Sequence, residues 1–299
     1  MSDKKVNIII STYNGEKYIK EQIDSLLNQI YPNIEIYVRD DGSKDGTIAI
    51  LKEYEENNQI HLIQGENLGF CGSFMEMLRV VEEGDYWSFC DQDDIWSKDK
   101  ISRAVETLEK EKRQEIPLLY HSASEMIDEN GKSLGILTVQ EETNSFRRNL
   151  TGTIGVGFSM VINSALRKEM LKCDYKKVYA HDWLAGAIAE GFGKVIVDHT
   201  VLAKYRRLDV SVSKSTFFRR VKWFIETLTT EGEVKSRNME YSKCFYEKLS
   251  CKDQKLMDLF NYSGYSLLRS FRKTFYLKRW RPSLSSEIVM RLLMLIGKV

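Results

Sequence analysis

Cysteine and proline are both scarce in this 299-residue chain, and long apolar runs are missing. The five cysteines are odd in number and form no Cys-x-x-Cys pair, which argues against a disulfide framework and against a structural zinc site. The three prolines mark no low-complexity linker. The apolar run at residues 6–10 is too short for a secretory signal, so we expect reduced thiols and a cytoplasmic location.

Net charge is also small, at +1, but the two ends of the chain differ in sign. Residues 1–209 carry 26 Lys and Arg against 35 Asp and Glu, whereas residues 210–299 carry 18 against 8. Hydrophobic residues make up 42% and charged residues 29% of the chain, which is the balance of a globular protein and argues against wholesale disorder. We therefore expect one domain over residues 1–209 and a basic, mainly helical region over residues 210–299, with different partners.

The first two hundred residues alternate short apolar runs with helical patterns. Strands are predicted at residues 6–10, 34–38, 60–63 and 86–90, and helices at residues 16–27, 45–54, 73–81 and 101–108. This succession predicts an α/β fold with a mainly parallel sheet and helices on both faces. In such sheets ligands bind outside the carboxyl ends of the strands.

Carboxylates follow the fourth predicted strand directly, as Asp91, Asp93 and Asp94. Hard cations such as Mg²⁺ and Mn²⁺ prefer oxygen ligands and are often held by one or two carboxylates together with substrate phosphates. The alternative is a solvated turn that caps the next helix, where Asp is also common. These residues alone leave both interpretations open.

Polar clusters at the other strand ends complete a wider pattern. The motifs, in chain order, are Ser11-Thr12-Tyr13-Asn14, Asp40-Asp41-Gly42-Ser43, Asn67-x-Gly69, Asp91-x-Asp93-Asp94 and His181-Asp182-Trp183. Together they resemble the motifs of family 2 glycosyltransferases, over roughly residues 6–206, and the combination is more specific than any single motif. The resemblance implies a GT-A fold, a nucleotide-diphosphate-sugar donor and inversion at the anomeric carbon. The run at residues 91–96 looks most like bacterial rhamnosyltransferases, although enzymes that use other sugars share it.

The resemblance also implies which residues bind the nucleotide. They are Thr12, Tyr13, Asn14, Asp40, Asp41, Asn67, Gly69 and Asp91. Asp41, with Asp40, would accept a hydrogen bond from the pyrimidine imide, and Tyr13 would stack on the base or contact the ribose. Each loop also has a structural interpretation: the Asp40 motif as a type I turn, and Tyr13 as a helix-entry contact.

The metal and the catalytic base are implied in the same way. Asp93 would be the principal ligand of Mn²⁺ or Mg²⁺, with Asp91 as a second ligand and His199 as a further one. A lone histidine such as His199 is more often structural. An inverting transfer needs a general base beside the acceptor hydroxyl, and Asp182 is the candidate, with helix capping as the alternative.

The remaining candidates surround the sugars and the diphosphate. Trp96 would form the floor of the sugar site, with a core position as its alternative. Gly155 and Gly157 would allow the backbone to approach the donor sugar, or else only shape a turn. The acceptor would be framed by His181 and Trp183, and the diphosphate would be bound by Arg206 and Arg207. Many relatives carry a histidine after this Arg pair, whereas the present chain has Leu208, so no contact is expected from that position.

Cations alternate with aromatic residues near the carboxyl end. The cations are Arg269, Arg272, Lys273, Lys278, Arg279 and Arg281, and the aromatic residues are Phe271, Phe275, Tyr276 and Trp280. This composition suits an anionic membrane surface. The apolar segment at residues 288–296 is shorter than the ~20 residues that a spanning helix needs. We expect peripheral attachment to the inner membrane surface; the alternative is a solvated helical bundle, and no nucleic-acid-binding module is recognised.

Taken together, these features predict an inverting, metal-dependent glycosyltransferase. It would move L-rhamnose from dTDP-L-rhamnose to a lipid-linked saccharide acceptor during bacterial cell-surface polysaccharide synthesis. The alternatives are the same reaction with a UDP-hexose donor, and a non-catalytic nucleotide-sugar-binding or scaffold protein. A homodimer also remains open.

Overall fold

A computed structural model describes residues 3–138, 145–153, 155–208, 233–262 and 264–299. The first part of the molecule is an α/β sheet. Its strands are β1 (Val6–Thr12), β2 (Ile34–Asp40), β3 (His61–Gln64) and β4 (Tyr86–Cys90), and the intervening helices are α1 (Ile19–Leu27), α2 (Thr47–Glu56) and α3 (Gly69–Val80). The order is β3-β2-β1-β4 and all the pairings are parallel, so the four carboxyl ends open on one edge. The predicted strands and helices of this half are confirmed, with ends shifted by a few residues.

Alternate residues of β1 enter two different hydrophobic cores. Ile9 packs in a cluster with Phe74 and Leu78 of α3, whereas Ile8 and Ile10 pack with residues of α1 on the opposite face. All of these side chains are buried. Because successive side chains of a strand point to opposite faces, an unbroken apolar strand requires a cover on both sides. The helices on the two faces supply that cover.

Beyond β4 the sheet becomes mixed. The further elements are β5 (Ile95–Trp96), α4 (Lys100–Leu108), β6 (Leu118–Ile127), β7 (Ser133–Leu137), α5 (Phe146–Asn149), β8 (Met160–Asn163), α6 (Ser164–Met170), α7 (His181–Phe192) and β9 (Lys194–Arg206). Strand β8 is antiparallel to both β4 and β6, and the order continues β4-β8-β6-β9-β5. The sequence pattern had not indicated β5 to β8.

Strand β9 brings a distant segment back to the carboxylates. It runs parallel to β6, with register shifts opposite residues 122–124, and then pairs antiparallel with β5. In that pairing Trp96 lies opposite Ala203, and Ile95 lies opposite Lys204. Arg206, two residues further along, therefore lies beside the loop that contains Asp93 and Asp94.

Four α-helices follow in the described part of the carboxyl end. They are α8 (Glu233–Phe245), α9 (Cys251–Met257), α10 (Leu267–Thr274) and α11 (Leu284–Leu295). Tyr241, Trp280 and Leu293 belong to the same buried cluster as Phe74, so these helices share a core with the α/β part. The predicted boundary between residues 209 and 210 lies outside the described residues. Among the described helices, none is long and apolar enough to cross a membrane.

Candidate active site

Gln92 joins the loops that follow β1 and β4. Its Oε1 accepts hydrogen bonds from Thr12 Oγ1 at 2.7 Å and from the Tyr13 backbone N–H at 2.9 Å. Gly15 allows the close approach, because a Cβ there would lie 2.6 Å from the same oxygen. The Tyr13 side chain remains exposed. The two loops are thus fixed while the ring that was predicted to contact the nucleotide faces solvent.

Asn14 and Asp40 organise the next loop. Asn14 adopts a left-handed conformation, with φ 49°, and its backbone N–H donates to Ser43 Oγ at 2.9 Å. Its side-chain oxygen accepts from the Lys44 N–H, also at 2.9 Å. The Asp40 carboxylate accepts from the backbone N–H groups of Gly42 and Ser43, at 3.1 and 2.9 Å. Both residues therefore build the turn that follows β2, the structural role typical of Asx turns.

Asp41 connects this turn to the loop after β3. Its buried carboxylate forms an ion pair with Arg39 and accepts from the N–H groups of Leu68 and Gly69 at 3.0 and 2.9 Å. Asn67 Oδ1 also accepts from the Gly69 N–H, at 2.9 Å. Gly69 has φ 72°, and no atom lies within 4 Å of the place where its Cβ would be. Residues 12–15, 40–43, 67–69 and 91–92, which we call the nucleotide rim, thus bring together the predicted nucleotide-binding residues.

Three carboxylates follow the end of β4, and all three have raised pKa values. Burial, followed by the charges of Asp93 and Asp182, raises the pKa of Asp91 to about 8. Burial raises the pKa of Asp93 as well, and that of Asp94 still more strongly. Asp94 Oδ1 accepts from the Arg206 N–H at 3.2 Å, whereas its buried Oδ2 has no hydrogen-bond partner among the described residues. Like charges held together out of water favour either protonation or a bound cation.

The donor atoms of this cluster suit a hard cation. Asp91 and Asp93 offer carboxylate oxygens only, and Asp94 Oδ2 is buried without a hydrogen-bond partner among the described residues. In the described part of the chain, no three His, Cys, Asp or Glu side chains gather as a metal site. A Mg²⁺ or Mn²⁺ ion there would therefore be completed by substrate oxygens and water, an arrangement that is common for Mg²⁺.

His199 is exposed on β9, seven residues before Arg206, whose backbone reaches Asp94. Its role as a further metal ligand stays a prediction.

Arg206 has a structural role that differs from the predicted one. Its buried guanidinium donates from Nη2 to Glu21 Oε2 at 2.7 Å, from Nε to the Asp93 carbonyl at 3.0 Å, and from Nη1 to the Glu129 carbonyl at 3.1 Å. All three of its nitrogens are engaged, so it fixes the Asp93 loop and does not face a diphosphate. Arg207 lies over the Tyr205 ring at 5.5 Å and stays a predicted diphosphate ligand.

Asp182 lies in the first turn of α7 and is buried. Its Oδ1 accepts from the Trp183 N–H at 2.8 Å, and burial raises its pKa to about 7. Its charge contributes to the raised pKa of Asp91, so the two carboxylates lie within electrostatic range of each other. A carboxylate that titrates near neutral pH is a competent general base.

His181 is enclosed by aromatic rings. The rings of Phe70, Phe74 and Phe89 lie 5.0, 4.2 and 4.5 Å from the His181 ring. Burial lowers the pKa of His181 to about 3, and neither ring nitrogen has a hydrogen-bond partner in the described part of the chain. His181 is therefore a fully buried, neutral ring packed among phenylalanines, and the prediction that it frames the acceptor was wrong.

Glycines 155 and 157 lie against two buried histidines. A Cβ at Gly157 would lie 2.6 Å from His181 Nε2, and a Cβ at Gly155 would lie 3.0 Å from His121 Nδ1. Neither glycine has a positive φ, so the close approach, and not the backbone conformation, requires them. Their contact with a donor sugar stays a prediction.

Comparison with known proteins identifies the family. Residues 7–174, more than half of the chain, match the family model described as Glycosyl transferase family 2. The chain belongs to glycosyl transferase family 2. Uncharacterized glycosyltransferases of Rickettsia typhi and Rickettsia prowazekii are each 31% identical to it, over 70% and 67% of this chain. The matches cover 66% and 63% of those relatives, so the chain spans slightly less than two thirds of their length.

Solved structures support the same fold. The Staphylococcus aureus TarS 1–349 structure matches with a TM-score of 0.58 and 19% identity, over 99% of this chain and 81% of that one. A Pyrobaculum calidifontis mannosyltransferase, solved with GDP-Man and Mn²⁺, matches with a TM-score of 0.51 and 15% identity, over 100% of this chain and 86% of that one. These similarities confirm the predicted GT-A fold.

The two tryptophans of this family 2 protein that were predicted to lie near the sugars occupy different environments. Trp96 is buried, with Lys100 Nζ 3.6 Å from its ring centroid, so it is a core residue and the prediction that it floors the sugar site was wrong. Trp183 is partly exposed beside Asp182, between Tyr179 and Arg237.

Arg237 was missed by sequence reasoning. It comes from α8, its guanidinium lies 4.1 Å from the Trp183 ring centroid, and its charge acts against the rise in the Asp182 pKa. It lies 55 residues after Asp182 and belongs to no motif, so only its strong burial in the folded chain reveals it.

Proposed function

We propose that this chain transfers a sugar from a nucleoside-diphosphate donor to a saccharide acceptor, with inversion at the anomeric carbon. The observation that carries the proposal is the pairing of a polar nucleotide rim and the Asp91–Asp93 carboxylates with a buried Asp182 that lies within electrostatic range of them. These two parts correspond to the two requirements of the reaction: stabilising a leaving diphosphate and removing a proton from an acceptor hydroxyl.

On the donor side, the nucleotide rim would hold the base and ribose. Asp91 and Asp93 would hold a divalent cation, which neutralises charge on the departing nucleoside diphosphate when it is bound. Arg206 fixes the Asp93 backbone through its 3.0 Å bond, so the carboxylate need not reorganise during the reaction.

On the acceptor side, Asp182 would take the proton of the attacking hydroxyl. A pKa of about 7 leaves a substantial fraction of Asp182 ionised at neutral pH and makes that fraction more basic than an ordinary carboxylate. Trp183, partly exposed next to it, is available to contact an acceptor sugar.

The donor that we propose is dTDP-L-rhamnose. The Shigella flexneri protein named dTDP-rhamnosyl transferase RfbG is 39% identical over 105 residues, which cover 34% of this chain and 36% of that protein. A Bacillus subtilis protein named putative teichuronic acid biosynthesis glycosyltransferase TuaG is 37% identical over 103 residues. These partial matches support a role in bacterial surface polysaccharide synthesis, and a UDP-hexose is the alternative donor.

The experiment is a thermal-shift panel of nucleotide sugars, each with and without Mn²⁺, followed by an assay for release of the nucleoside diphosphate. We expect dTDP-L-rhamnose to raise the melting temperature only with metal, and Asp93→Asn to abolish that rise while the matched variant Asp258→Asn, at an exposed site, keeps it.

The panel separates the alternatives. If only a UDP-sugar stabilised the protein, the donor would be a UDP-sugar and not dTDP-L-rhamnose, and the proposed reaction class would stand. Stabilisation without release of nucleoside diphosphate in the presence of bacterial glycan acceptors would favour a binding protein. No response to any nucleotide sugar would contradict the proposal.

A further inference from the structure

Large apolar side chains are exposed along α10, α11 and the segment between them. They are Leu267, Leu268, Phe271, Phe275, Leu277, Leu284, Ile288, Leu292 and Leu295. On each helix they recur at steps of three or four residues, as in the series Leu284, Ile288, Leu292, so they form stripes on one helix face. We call this surface, residues 267–278 together with the exposed side of α11, the basic apolar face.

The apolar side chains of this face are not part of the hydrophobic core. Met290, Leu293 and Met294 of α11 are buried in the core shared with the α/β part, and Trp280 is buried beside them. The exposed stripe of α11 is therefore a second apolar surface on the opposite side of the helix. Leu277 is 101% exposed and Leu267 68% exposed, values that describe side chains standing free in solvent. An exposed apolar surface of this extent marks a docking site.

Positive charge borders the same face. A cavity of about 810 Å³ is lined by Phe271, Phe275 and Leu277 together with four cations, Lys252, Lys255, Arg272 and Lys278, and no acidic residue lines it. Glu287 is the one acid between residues 267 and 299; it is buried and pairs with Arg291 at 2.6 Å. The face thus combines apolar stripes with a net positive rim.

We infer that the basic apolar face docks on an anionic lipid bilayer. Apolar side chains that insert at the acyl boundary and cations that meet lipid phosphates are the combination that peripheral amphipathic helices use. A second copy of the chain fits less well, because a two-fold contact would set these cations against one another without acids between them. This inference concerns location and does not depend on the proposed reaction.

The position of the face also relates it to Asp182. Leu277 and Trp280 are three residues apart, so at most about 10 Å of chain separates the exposed tip from the core. The Trp280 carbonyl accepts from Thr151 Oγ1 at 3.0 Å, and Thr151 begins the segment whose Gly157 packs under Asp182. If the proposed function holds, this chain of contacts links the lipid-binding face to the segment that packs against the base.

Vesicle co-sedimentation of the full chain tests the inference. Vesicles would be phosphatidylcholine alone, or phosphatidylcholine with about 30% phosphatidylglycerol, at about 0.1 M salt, where charge is only partly screened. We expect at least about tenfold stronger binding to the anionic vesicles. The double variant Leu268→Asp, Leu277→Asp should weaken this binding at least about tenfold, since it removes apolar insertion and adds negative charge.

The matched control is Leu134→Asp, Ile136→Asp on β7, where two apolar residues are also exposed, at 53% and 58%, but lie outside the face. It should bind vesicles like the unmodified chain. A charge pair, Arg272→Glu, Lys278→Glu, should remove the preference for anionic lipid, while Lys52→Glu on α2 should keep it.

Three results would overturn the inference: no binding to anionic vesicles, equal loss in the face and control variants, or a dimer that the face variants break without any vesicle binding. Because no nucleotide sugar is present, failure here would leave the proposed reaction untouched. Conversely, the donor-induced thermal shift of the face variants reports on the reaction site alone.

Discussion

Asp182, His181 and the rings that enclose His181, which we call the Asp182 pocket, lie within electrostatic range of the nucleotide rim but are held in place differently. The rim is polar: Gln92, Asn14, Asp40 and Asp41 tie four loops together with short hydrogen bonds between side chains and backbone. The Asp182 pocket is held by packing, with His181 between three aromatic rings. Hydrogen bonds fix the shape of the rim, whereas burial sets the protonation of the pocket.

This difference predicts different responses to mutation. In the rim, several bonds hold each loop, so the loss of one should be tolerated. In the pocket, the carboxylate depends on close packing from α3, α7 and the Gly157 segment, so a change of a single atom should alter both geometry and pKa. The predictions below run from the largest expected effect to the smallest.

Asp182→Asn should remove the base while keeping the shape of the pocket. We expect turnover to fall by about 10³-fold, within the range of about 10² to 10⁴ for general acid–base groups, and donor affinity to stay within about twofold. Initial rates and donor titration would measure both quantities. Parallel loss of donor binding would mean that Asp182 belongs to the nucleotide rim, and the contrast between the two regions would fail.

Gly157→Ala should disturb the pocket through packing alone. The new methyl group would lie 2.6 Å from His181 Nε2, and overpacking of this kind costs about 1–3 kcal/mol. We expect a lower melting temperature and slower turnover, with both partly restored by the added substitution His181→Ser, which makes room. If the double variant shows no coupling between the two sites, the packing argument is wrong.

Acid should destabilise the fold through His181. The folded pKa is about 3 and the unfolded value is about 6.5, so below about pH 6.5 the unfolded chain binds a proton that the folded chain does not. Stability from this group is therefore present above about 6.5 and falls by about 1.4 kcal/mol per pH unit as the pH drops towards 3.

The raised pKa values of Asp91 and Asp182 act in the opposite direction, since their stabilisation is lost as the pH rises through about 4 to 8. The contribution of His181 is therefore obtained by comparing the pH dependence of the unfolding free energy in the unmodified chain and in a variant without this histidine. Denaturant unfolding at several pH values should show a shallower acid slope in His181→Phe than in the unmodified chain, and no change in His61→Gln, an exposed control. Equal slopes in all three would contradict the neutral buried ring.

Gln92→Ala should give the smallest effect. It removes the contacts with Thr12 and Tyr13, each worth about 0.5–1.5 kcal/mol net, but Asn14 and Asp41 still connect the remaining loops. We expect donor affinity, measured by titration, to fall only a few-fold. Turnover at saturating donor should be nearly unchanged. A loss as large as that of Asp182→Asn would show that the rim is as fragile as the pocket.

Much of the α/β half could be predicted because its signals are local. Strands β1 to β4 are short apolar runs, and the polar residues that end them must meet at one edge of a parallel sheet. Strand β6 was not indicated, since its buried residues include His121, Ser122 and Ser124 and so break the apolar pattern.

Individual roles were harder to predict than positions. The sequence analysis predicted that three residues contact a substrate, namely Arg206, His181 and Trp96. In the structure, each of these side chains contacts other protein residues instead. The residue type shows which kinds of group a side chain can bind. It does not show whether the actual partner is a ligand or another part of the protein. That partner is set by the packing of segments far apart in the chain.

By itself, the sequence determined the α/β order, the polar loops at the strand ends and the cation-rich carboxyl end, because these follow from residues that are neighbours in the chain. Only the tertiary structure decided that β9 returns to place Arg206 against Asp93, that three phenylalanines from two elements enclose His181, and that α10 and α11 leave an apolar stripe in solvent. The physical reason is that burial and hydrogen-bond partners depend on which distant surfaces pack together.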